Sequence, residues 1–401
     1  MRIEEEYIMK KMVSAALAAT MVVSFAACGG SQSSESTGTA GTTDSNATVV
    51  KIGGIGPTTG DNAQYGQAVK NGAEIAVEEI NALGGDIQFE FKFEDDETDN
   101  EKAVNAYNVL KDWAGDDPFL VLGATTSGCT IAVGAETYAD NIFQITPSGT
   151  DAKCVQYDNA FRTCFSDPNQ GKISAQYIKE NGLAEKVGII YDSSDTYSSG
   201  ITQAFVSEAA AQGLEIVAQE AFTADTNTDM KVQLQKLQSE GADLVFLPIY
   251  YSQASIILQQ ANELDYHPAF YGCDGMDGIL SVENFDTSLA EGLMFLTPFV
   301  TTNEDEKTQN FVATYEEKYG QIPNQFAADS YDSVYAVYEA CKKAGVTNDM
   351  DASALCDALK TAMTEISIDG LTGSGISWGA DGEPNKTPLV AKIENGAYVL
   401  M

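Results

Sequence analysis

Short apolar segments alternate with segments of helical length through most of this sequence, from about residue 49 onward. Examples of the apolar segments are VVKIGGIG, PFLVLGA, KVGIIYDSS and ADLVFLPIY. Between Gly66 and Leu83 the apolar residues recur with helical spacing, which indicates a helix packed on a sheet. Strands separated by crossover helices pair in parallel, and helices cover both faces of the sheet. The sequence therefore predicts an α/β fold in which ligands bind beyond the carboxyl ends of the strands.

The length and charge of the chain predict a globular protein with two lobes. A chain of 401 residues exceeds what one ordinary core holds, and 44% hydrophobic with 20% charged residues is a globular composition. The 59 acidic and 22 basic residues give a formal net charge of -37. Because phosphate binding needs a basic surface, this charge argues against a nucleic-acid partner.

The N-terminal residues 1–27 have the features of a lipoprotein signal peptide. Two lysines precede an apolar run that ends in FAAC, with Cys28 as the predicted lipidated residue. A transmembrane helix is disfavoured because the run is shorter than the roughly 20 apolar residues that a bilayer core needs. Residues 28–48 are mostly small and polar and are predicted to form a flexible tether. We expect an extracytoplasmic protein, lipid-anchored to the cell membrane, whether translation starts at Met1 or Met9.

Six further cysteines leave the disulfide pattern open. Export permits disulfides, and six cysteines allow about fifteen complete pairings. Cys154 and Cys164 are close enough in sequence to close a small loop, but both could equally be buried thiols. The sequence does not choose between these alternatives.

Three resemblances to catalytic or metal-binding motifs have simpler interpretations. GIGPTTG follows a strand, but its glycine spacing differs from that of a dinucleotide-binding loop. GISWG matches G-x-S-x-G, yet no histidine follows Ser377, and the single histidine, His267, lies upstream. EDDETDNE lacks the central glycine and the correctly spaced glutamate of a calcium loop, and one histidine without a Cys-x-x-Cys pair does not support a zinc site. We therefore expect no cofactor, no metal and no enzymatic activity.

Two loops of small residues follow successive predicted strands. GATTSG, residues 123–128, leads into a helix, and ITPSGTDA, residues 145–152, contains Ser148 and Thr150. A helix N-terminus presents unpaired N–H groups at the positive end of the helix dipole, and nearby hydroxyls add donors. Either loop alone could be a helix cap that serves only the fold. The two loops together predict a cradle for a carboxylate.

Several longer segments resemble one protein family in order and spacing. They are GDNAQYGQAVKNGAEIAVEEIN, FEDDETDNEKA, GATTSGCTIAV, ITPSGTDA, FRTCFSDPNQG, YGCDGMDG and FAADSYDSVYA. The chain is similar to the type I periplasmic binding proteins of ABC importers, and to their Leu/Ile/Val-binding branch, over almost everything after the tether. The resemblance implies two doubly wound, Rossmann-like lobes joined by a three-segment hinge. It also implies a receptor that closes on its ligand and delivers it to a membrane permease.

The resemblance assigns roles to the residues of a ligand site. Ser127 is expected to receive the ligand carboxylate, helped by the backbone and hydroxyls of Ser148 and Thr150. Asp274 lies where the family places the partner of the ligand's ammonium group, and a buried zwitterion needs such an acceptor. The alternative interpretation of Asp274 is a turn aspartate before Gly275.

Aromatic residues are expected to line and close the pocket. The family positions correspond here to Tyr65, Tyr197, Tyr250 and Phe326. The register near Tyr250 is ambiguous, because Tyr251 beside it points to the opposite face if the strand continues.

The resemblance also divides the chain between the lobes. The expected bounds are 49–167 plus 299–372 for the first lobe and 168–298 plus 373–401 for the second, with crossings near 166–171, 296–301 and 370–379. The expected partners are a free amino acid of the Leu/Ile/Val type, an importer permease and, through the lipid anchor, the membrane. We expect a monomer.

Three other functions compete with this interpretation. The same receptor could bind another amino acid, a small amide or an aromatic acid, and Asp274 separates these ligands because only an ammonium group gains from it. A ligand-sensing module would need an output partner. An exported hydrolase would need a nucleophile with a base within hydrogen-bond reach.

Overall fold

The computed structural model describes residues 47–401. The predicted signal peptide, Cys28 and almost all of the predicted tether lie outside the described residues. Within 47–401, no helix combines the length and the apolar character needed to cross a membrane.

The first part of the chain forms a parallel sheet with crossover helices. Its elements are β1 (Thr48–Gly56), α1 (Ala63–Ala82), β2 (Ile87–Asp95), α2 (Asn100–Ala114), β3 (Phe119–Leu122), α3 (Ser127–Asp140), β4 (Gln144–Thr146) and β5 (Ala160–Arg162). The strand order is β2-β1-β3-β4-β5, and every neighbouring pair is parallel. This sheet confirms the α/β fold that the alternation of apolar and helical segments predicts.

The middle of the chain builds the same unit again. Its elements are α4 (Asp167–Glu180), β6 (Lys186–Asp192), α5 (Thr196–Gln212), β7 (Glu215–Phe222), α6 (Lys231–Glu240), β8 (Leu244–Leu247), α7 (Tyr251–Glu263), β9 (Ala269–Gly272) and β10 (Met294–Thr297). The last elements are α8 (Glu306–Tyr319), α9 (Gln325–Ala344), α10 (Ala352–Met363), β11 (Ser367–Ile368), β12 (Ile376–Ser377), β13 (Leu389–Glu394) and β14 (Ala397–Leu400).

The second sheet combines strands from the middle and the end of the chain. Its order is β14-β13-β10-β9-β8-β6-β7, in which β13 and β14 are antiparallel additions at one edge. The strands β11 and β12 form a separate two-stranded sheet. In each large sheet the order in which successive strands are added reverses beside the first strand. This switch point lies between β1 and β3 in one sheet and between β6 and β8 in the other. Ligands of open α/β sheets bind at such switch points.

Helix α9 packs against α1 and so returns the chain to the first sheet. A Cβ atom on Gly72 of α1 would collide with the backbone of Ala327 on α9. The Oγ of Ser330 on α9 donates to the carbonyl of Val69 on α1 at 2.7 Å. The two helices therefore approach at backbone distance, which only glycine permits at position 72.

The six cysteines between residues 129 and 356 are buried free thiols in the structure. The Sγ of Cys154 donates to the carbonyl of Ser127 at 3.7 Å, and that of Cys164 donates to the carbonyl of Gly149 at 3.6 Å. Of the two alternatives left open, the structure contains the buried thiols.

The last passage of the chain between the sheets lies later than expected. The indole nitrogen of Trp378 donates to the carbonyl of Arg162 at 2.7 Å, and the amide of Arg162 donates to the carbonyl of Gly382 at 3.0 Å. Because Arg162 ends β5, this segment stays beside the first sheet, and the chain reaches the second sheet only between Gly382 and Leu389. The expected crossing near 370–379, and the lobe bound at 373, are therefore displaced toward the C-terminus. The other lobe bounds stay predictions.

Candidate functional site

A small cavity, with about 20 Å³ open to the centre of a water-sized sphere, lies where loops of the two large sheets meet. Its lining residues are Tyr65, Thr125, Thr126, Ser127, Ser148, Tyr197, Tyr250, Asp274, Gly275 and Phe326. Most of them follow the carboxyl ends of β3, β4, β6, β8 and β9. The structure thus brings together all the predicted site residues except Thr150. That these residues bind a ligand stays a prediction.

Two loops of the first sheet meet at Ser127, the first residue of α3. The Oγ of Ser127 accepts hydrogen bonds from the amides of Thr150 and Asp151, each at 3.2 Å. In the neighbouring loop, the Oγ of Ser148 donates to the carbonyl of Thr125 at 2.6 Å. The first amides of a helix have no partner within the helix and can donate to an anion. The arrangement has the donors that a carboxylate requires.

Thr150 contributes its backbone rather than its side chain to this arrangement. Its amide reaches Ser127, whereas its hydroxyl lies beside the carboxyl group of Asp167. Thr150 does not line the cavity. Burial raises the pKa of Asp167 well above its usual value, so a neighbouring hydroxyl that can donate lowers the cost of a charge there.

Asp274 is the acidic group of the cavity, and it comes from the second sheet. It begins a short 3-10 turn, Asp274–Met276, directly after β9. Its Oδ1 accepts hydrogen bonds from the hydroxyl of Tyr197 at 2.7 Å and from the amide of Gly275 at 2.9 Å. Burial raises the pKa of Asp274 to about 6, against the opposing effect of donors from Tyr197 and Gln170. A cationic ligand group would favour the ionised form of this carboxyl.

Four aromatic rings surround the cavity. The rings of Tyr197 and Tyr250 stack at a centroid distance of 5.0 Å. Tyr65 contacts Tyr250 edge-on at 5.5 Å and Phe326 at 4.6 Å. Such rings supply an apolar wall while each hydroxyl can still find a partner.

The structure separates the roles of Tyr250 and Tyr251. The strand β8 ends at Leu247, so no strand register relates the two residues. Tyr250 precedes the first residue of α7 and lines the cavity. Tyr251 begins the helix and packs edge-on against Tyr65 at 4.9 Å.

Direct hydrogen bonds join the two sides of the cavity. The hydroxyl of Tyr65, on α1, donates to the carbonyl of Gly275 at 2.6 Å. At the start of α9, the amide of Gln325 donates to Oδ2 of Asp277 at 2.8 Å, and its side chain donates to the carbonyl of Asp274 at 3.1 Å. Because α1 and α9 lie on the first sheet and the aspartates follow β9, the structure has the closed arrangement.

Several residues of the site lie outside the sequence-based prediction. Thr125, Thr126 and Gly275 line the cavity, although the predicted set did not include them. The small-residue pattern GATTSG already contains both threonines, so that loop could have indicated them. Asp277 and Gln325 carry no such signal, because their contact spans 48 positions in the sequence.

The segments that resembled catalytic motifs adopt other structures. GISWG forms β12 and a β-bridge from Trp378 to Pro384, not the strand-to-helix turn of a nucleophile elbow. His267 lies outside the cavity, and its side chain is 63% exposed. Across residues 47–401, no group of three or more His, Cys, Asp or Glu is placed to hold a metal ion.

Comparison with known proteins places the chain in a family. Residues 49–397 match the periplasmic binding protein family. The Leu/Ile/Val-binding protein homolog 3 of Brucella melitensis biotype 1 is 30% identical over 314 residues, which cover 76% of this chain and 82% of that protein.

Solved structures share the fold over most of the chain. The branched-chain amino acid transporter substrate-binding protein LivJ from Streptococcus pneumoniae, in complex with isoleucine, has a TM-score of 0.77 and 30% identity, covering 88% of this chain and 100% of that one. A solute-binding protein of an ABC transporter from R. palustris, in complex with benzoate, has a TM-score of 0.77 over 88% and 95% of the chains, but its 19% identity shows the fold alone. This chain therefore belongs to the type I periplasmic binding proteins, in the family of the branched-chain amino acid receptors.

Proposed function

We propose that this protein is the extracytoplasmic substrate-binding component of an ABC importer and that it binds a free amino acid, of the Leu/Ile/Val type, between two closing lobes. One observation carries the proposal. A cradle of amides and hydroxyls at Ser127 and a buried carboxylate at Asp274 come from different sheets and line one cavity.

The charges of a free amino acid explain why both features are needed. A carboxylate taken out of water needs donors, an ammonium group needs an acceptor, and either one left unpaired costs several kcal/mol. The hydroxyl of Ser127 and the first amides of α3 serve the carboxylate, and Asp274 serves the ammonium group. The rings of Tyr65 and Phe326 offer an apolar surface to an aliphatic side chain.

Binding and release follow from the division of the site between two lobes. The ligand first contacts one lobe, and the other closes over it as the connecting segments bend. Contacts such as that from Tyr65 to Gly275 then hold the closed form, which docks on the permease. No step changes a covalent bond, so the protein acts as a receptor and not as an enzyme.

The location of the protein is part of the same proposal. A receptor that serves an importer works outside the cytoplasm, and the lipid on Cys28 would keep a monomer close to the permease. Metabolic labelling with a radioactive fatty acid tests the anchor, because Cys28→Ala should abolish incorporation.

Thermal unfolding and calorimetry with the chain from Gly29 onward test the ligand class. A ligand that binds only the folded state stabilises it by about 2.7 kcal/mol at a hundredfold excess over Kd. Leucine, isoleucine or valine should raise Tm, and 4-methylpentanoate, which lacks the ammonium group, should bind far more weakly than leucine. Protein that is free of co-purified ligand and responds to benzoate but to no amino acid would contradict the proposed ligand and point to the aromatic-acid alternative.

A further inference from the structure

The guanidinium group of Arg162 is buried beneath the loop that meets Ser127. Its Nη1 donates to the carbonyl of Gly149 at 2.9 Å, and its Nη2 donates to the carbonyl of Asp151 at 3.0 Å. Nη2 also lies 3.1 Å from Oε1 of Glu383, and the Arg162 side chain is 0% exposed. A buried cation is costly, so a group kept in this position calls for an explanation.

The contact with Gly149 determines the direction of a neighbouring amide. The carbonyl of Gly149 and the N–H of Thr150 belong to one planar trans peptide group, in which they point in opposite directions. When Arg162 holds this carbonyl, the N–H of Thr150 points away from the guanidinium, and it reaches Oγ of Ser127.

The amides in turn determine what the hydroxyl of Ser127 can do. A serine hydroxyl has two acceptor lone pairs and one proton to donate. The amides of Thr150 and Asp151 occupy both lone pairs of Ser127. The remaining capacity of the Ser127 hydroxyl is therefore its proton, and Ser127 lines the cavity. A ligand group that accepts hydrogen bonds, such as a carboxylate, complements that proton.

We propose that Arg162 is a positioning residue which, through the peptide groups of residues 149–151, makes the hydroxyl of Ser127 a donor toward the ligand carboxylate. The inference rests on one part of the proposed function, namely that the ligand has a carboxylate bound at Ser127. It does not depend on the other groups of the ligand. Benzoate and leucine both carry a carboxylate, so the role of Arg162 is the same for either.

A purely structural role would use other atoms of the same residue. The segment 376–382 is held to β5 by the backbone of Arg162, whose amide bonds to Gly382 and whose carbonyl accepts from Trp378. Any residue other than proline supplies both of those groups. The guanidinium adds only the two loop carbonyls and Glu383, so side-chain variants separate the two roles. Arginine suits this task better than lysine, because its planar fork reaches both carbonyls at fixed angles.

Ligand binding by three side-chain variants tests the proposal. Arg162→Lys keeps the buried charge and loses the fork, and its affinity for the carboxylate ligand should fall about tenfold or more, the equivalent of one to two lost hydrogen bonds with a charged donor. Arg162→Gln should lose at least as much. Glu383→Gln is the matched control, because it leaves the guanidinium on both carbonyls, and its affinity should stay within about threefold of wild type.

Amide hydrogen exchange of the ligand-free protein supplies a readout that does not depend on the ligand's identity. In Arg162→Lys, exchange should accelerate at residues 148–152 and remain unchanged at residues 376–382, the segment that bonds to the backbone of Arg162. A structural role predicts faster exchange in both segments. If Arg162→Gln fails to fold, the lysine variant decides.

Either of two results would overturn the inference. One is a folded Arg162→Lys protein with wild-type affinity, and the other is faster exchange at both residues 148–152 and residues 376–382. A third result separates the inference from the proposed function. If wild-type protein binds no amino acid but binds benzoate, the amino-acid proposal fails, and the variants test Arg162 on benzoate instead.

Discussion

The hydroxyl of Tyr197 donates to Oδ1 of Asp274 at 2.7 Å, across 77 positions of sequence and inside the buried wall of the cavity. This bond orients the carboxylate and favours its ionised form. It therefore prepares an acceptor for a cationic ligand group before that group arrives.

Asp274→Asn should abolish most of the affinity for leucine. The variant keeps the shape of the side chain and removes its charge, so the ligand's ammonium group is left without a counterion. Breaking a buried ion pair costs about 3–5 kcal/mol, which corresponds to a loss of more than a hundredfold. Tyr197→Phe removes one donor and should cost less than about tenfold. Calorimetric Kd values check both, and unchanged leucine binding by Asp274→Asn would make Asp274 a turn residue.

Without ligand and in its closed arrangement, the protein should be more stable at pH 5.5 than at pH 8. Burial raises the pKa of Asp274 and of Asp329 to about 6 and that of Asp277 to about 7. A carboxyl group whose pKa is higher in the folded than in the unfolded state stabilises the fold below the unfolded pKa, and this contribution is lost as the pH rises through the folded pKa. The loss therefore falls between about pH 4 and pH 7. Tm measured at both pH values should differ by at least ~2 °C.

One variant separates this effect from the general repulsion of an acidic chain. Asp277→Asn imitates the protonated acid, so it should reduce the difference in Tm between the two pH values. Asp112→Asn, at an exposed position, changes the net charge equally and should leave that difference as it is. A wild-type Tm that is higher at pH 8 would contradict the prediction.

Gly72→Ala should destabilise the fold by about 1–3 kcal/mol, because the new methyl group forces α1 and α9 apart. Gly134→Ala in α3 is the control. A Cβ at that position would lie 3.4 Å from the nearest side-chain atom, an ordinary contact for which little has to move. Alanine is also the better helix former, by up to ~1 kcal/mol. Urea unfolding measures the free energy of unfolding of both variants. Equal changes would show that the close contact between α1 and α9 does not account for the effect of Gly72→Ala.

The sequence predicts the fold well because its signals are local. Alternating apolar and helical segments determine the parallel sheets, and the small-residue loops fall at the ends of β3 and β4, where the site is. The last passage between the sheets could not be placed in the same way. The strands before it, β11 and β12, have two residues each, too short for a period, and Arg162, which holds this segment, lies 216 positions from Trp378.

The predicted cradle uses both backbone N–H groups and hydroxyls, whereas at one position the structure uses the backbone alone. Thr150 illustrates the difference. A hydroxyl in a conspicuous loop indicates a side-chain donor, but in the structure the amide of Thr150 bonds to Ser127 and its hydroxyl is buried without a hydrogen-bond partner. Peptide orientation depends on contacts that form only in the fold, such as that from Arg162 to the carbonyl of Gly149 13 positions away, and no short motif encodes it.

Asp277→Ala should accelerate ligand release about tenfold. Asp277 accepts a hydrogen bond from the amide of Gln325, the first residue of α9, and this bond joins the two lobes. In the open state that amide is exposed to water and needs no protein partner. Loss of the hydrogen bond in the variant therefore raises the free energy of the closed state alone, by about 1–2 kcal/mol. Ligand leaves through the open state, and the rate of opening should therefore rise.

Asn324→Ala distinguishes this contact from ordinary helix capping. Oδ1 of Asn324 accepts from the amides of Phe326 and Ala327 within the same lobe, so that bond exists whether the lobes are open or closed. The variant should lower the stability of the fold by about 1 kcal/mol and leave the release rate nearly unchanged. Stopped-flow displacement of bound leucine gives both rates. If Asp277→Ala releases leucine no faster than Asn324→Ala, the contact between Asp277 and Gln325 does not hold the lobes closed.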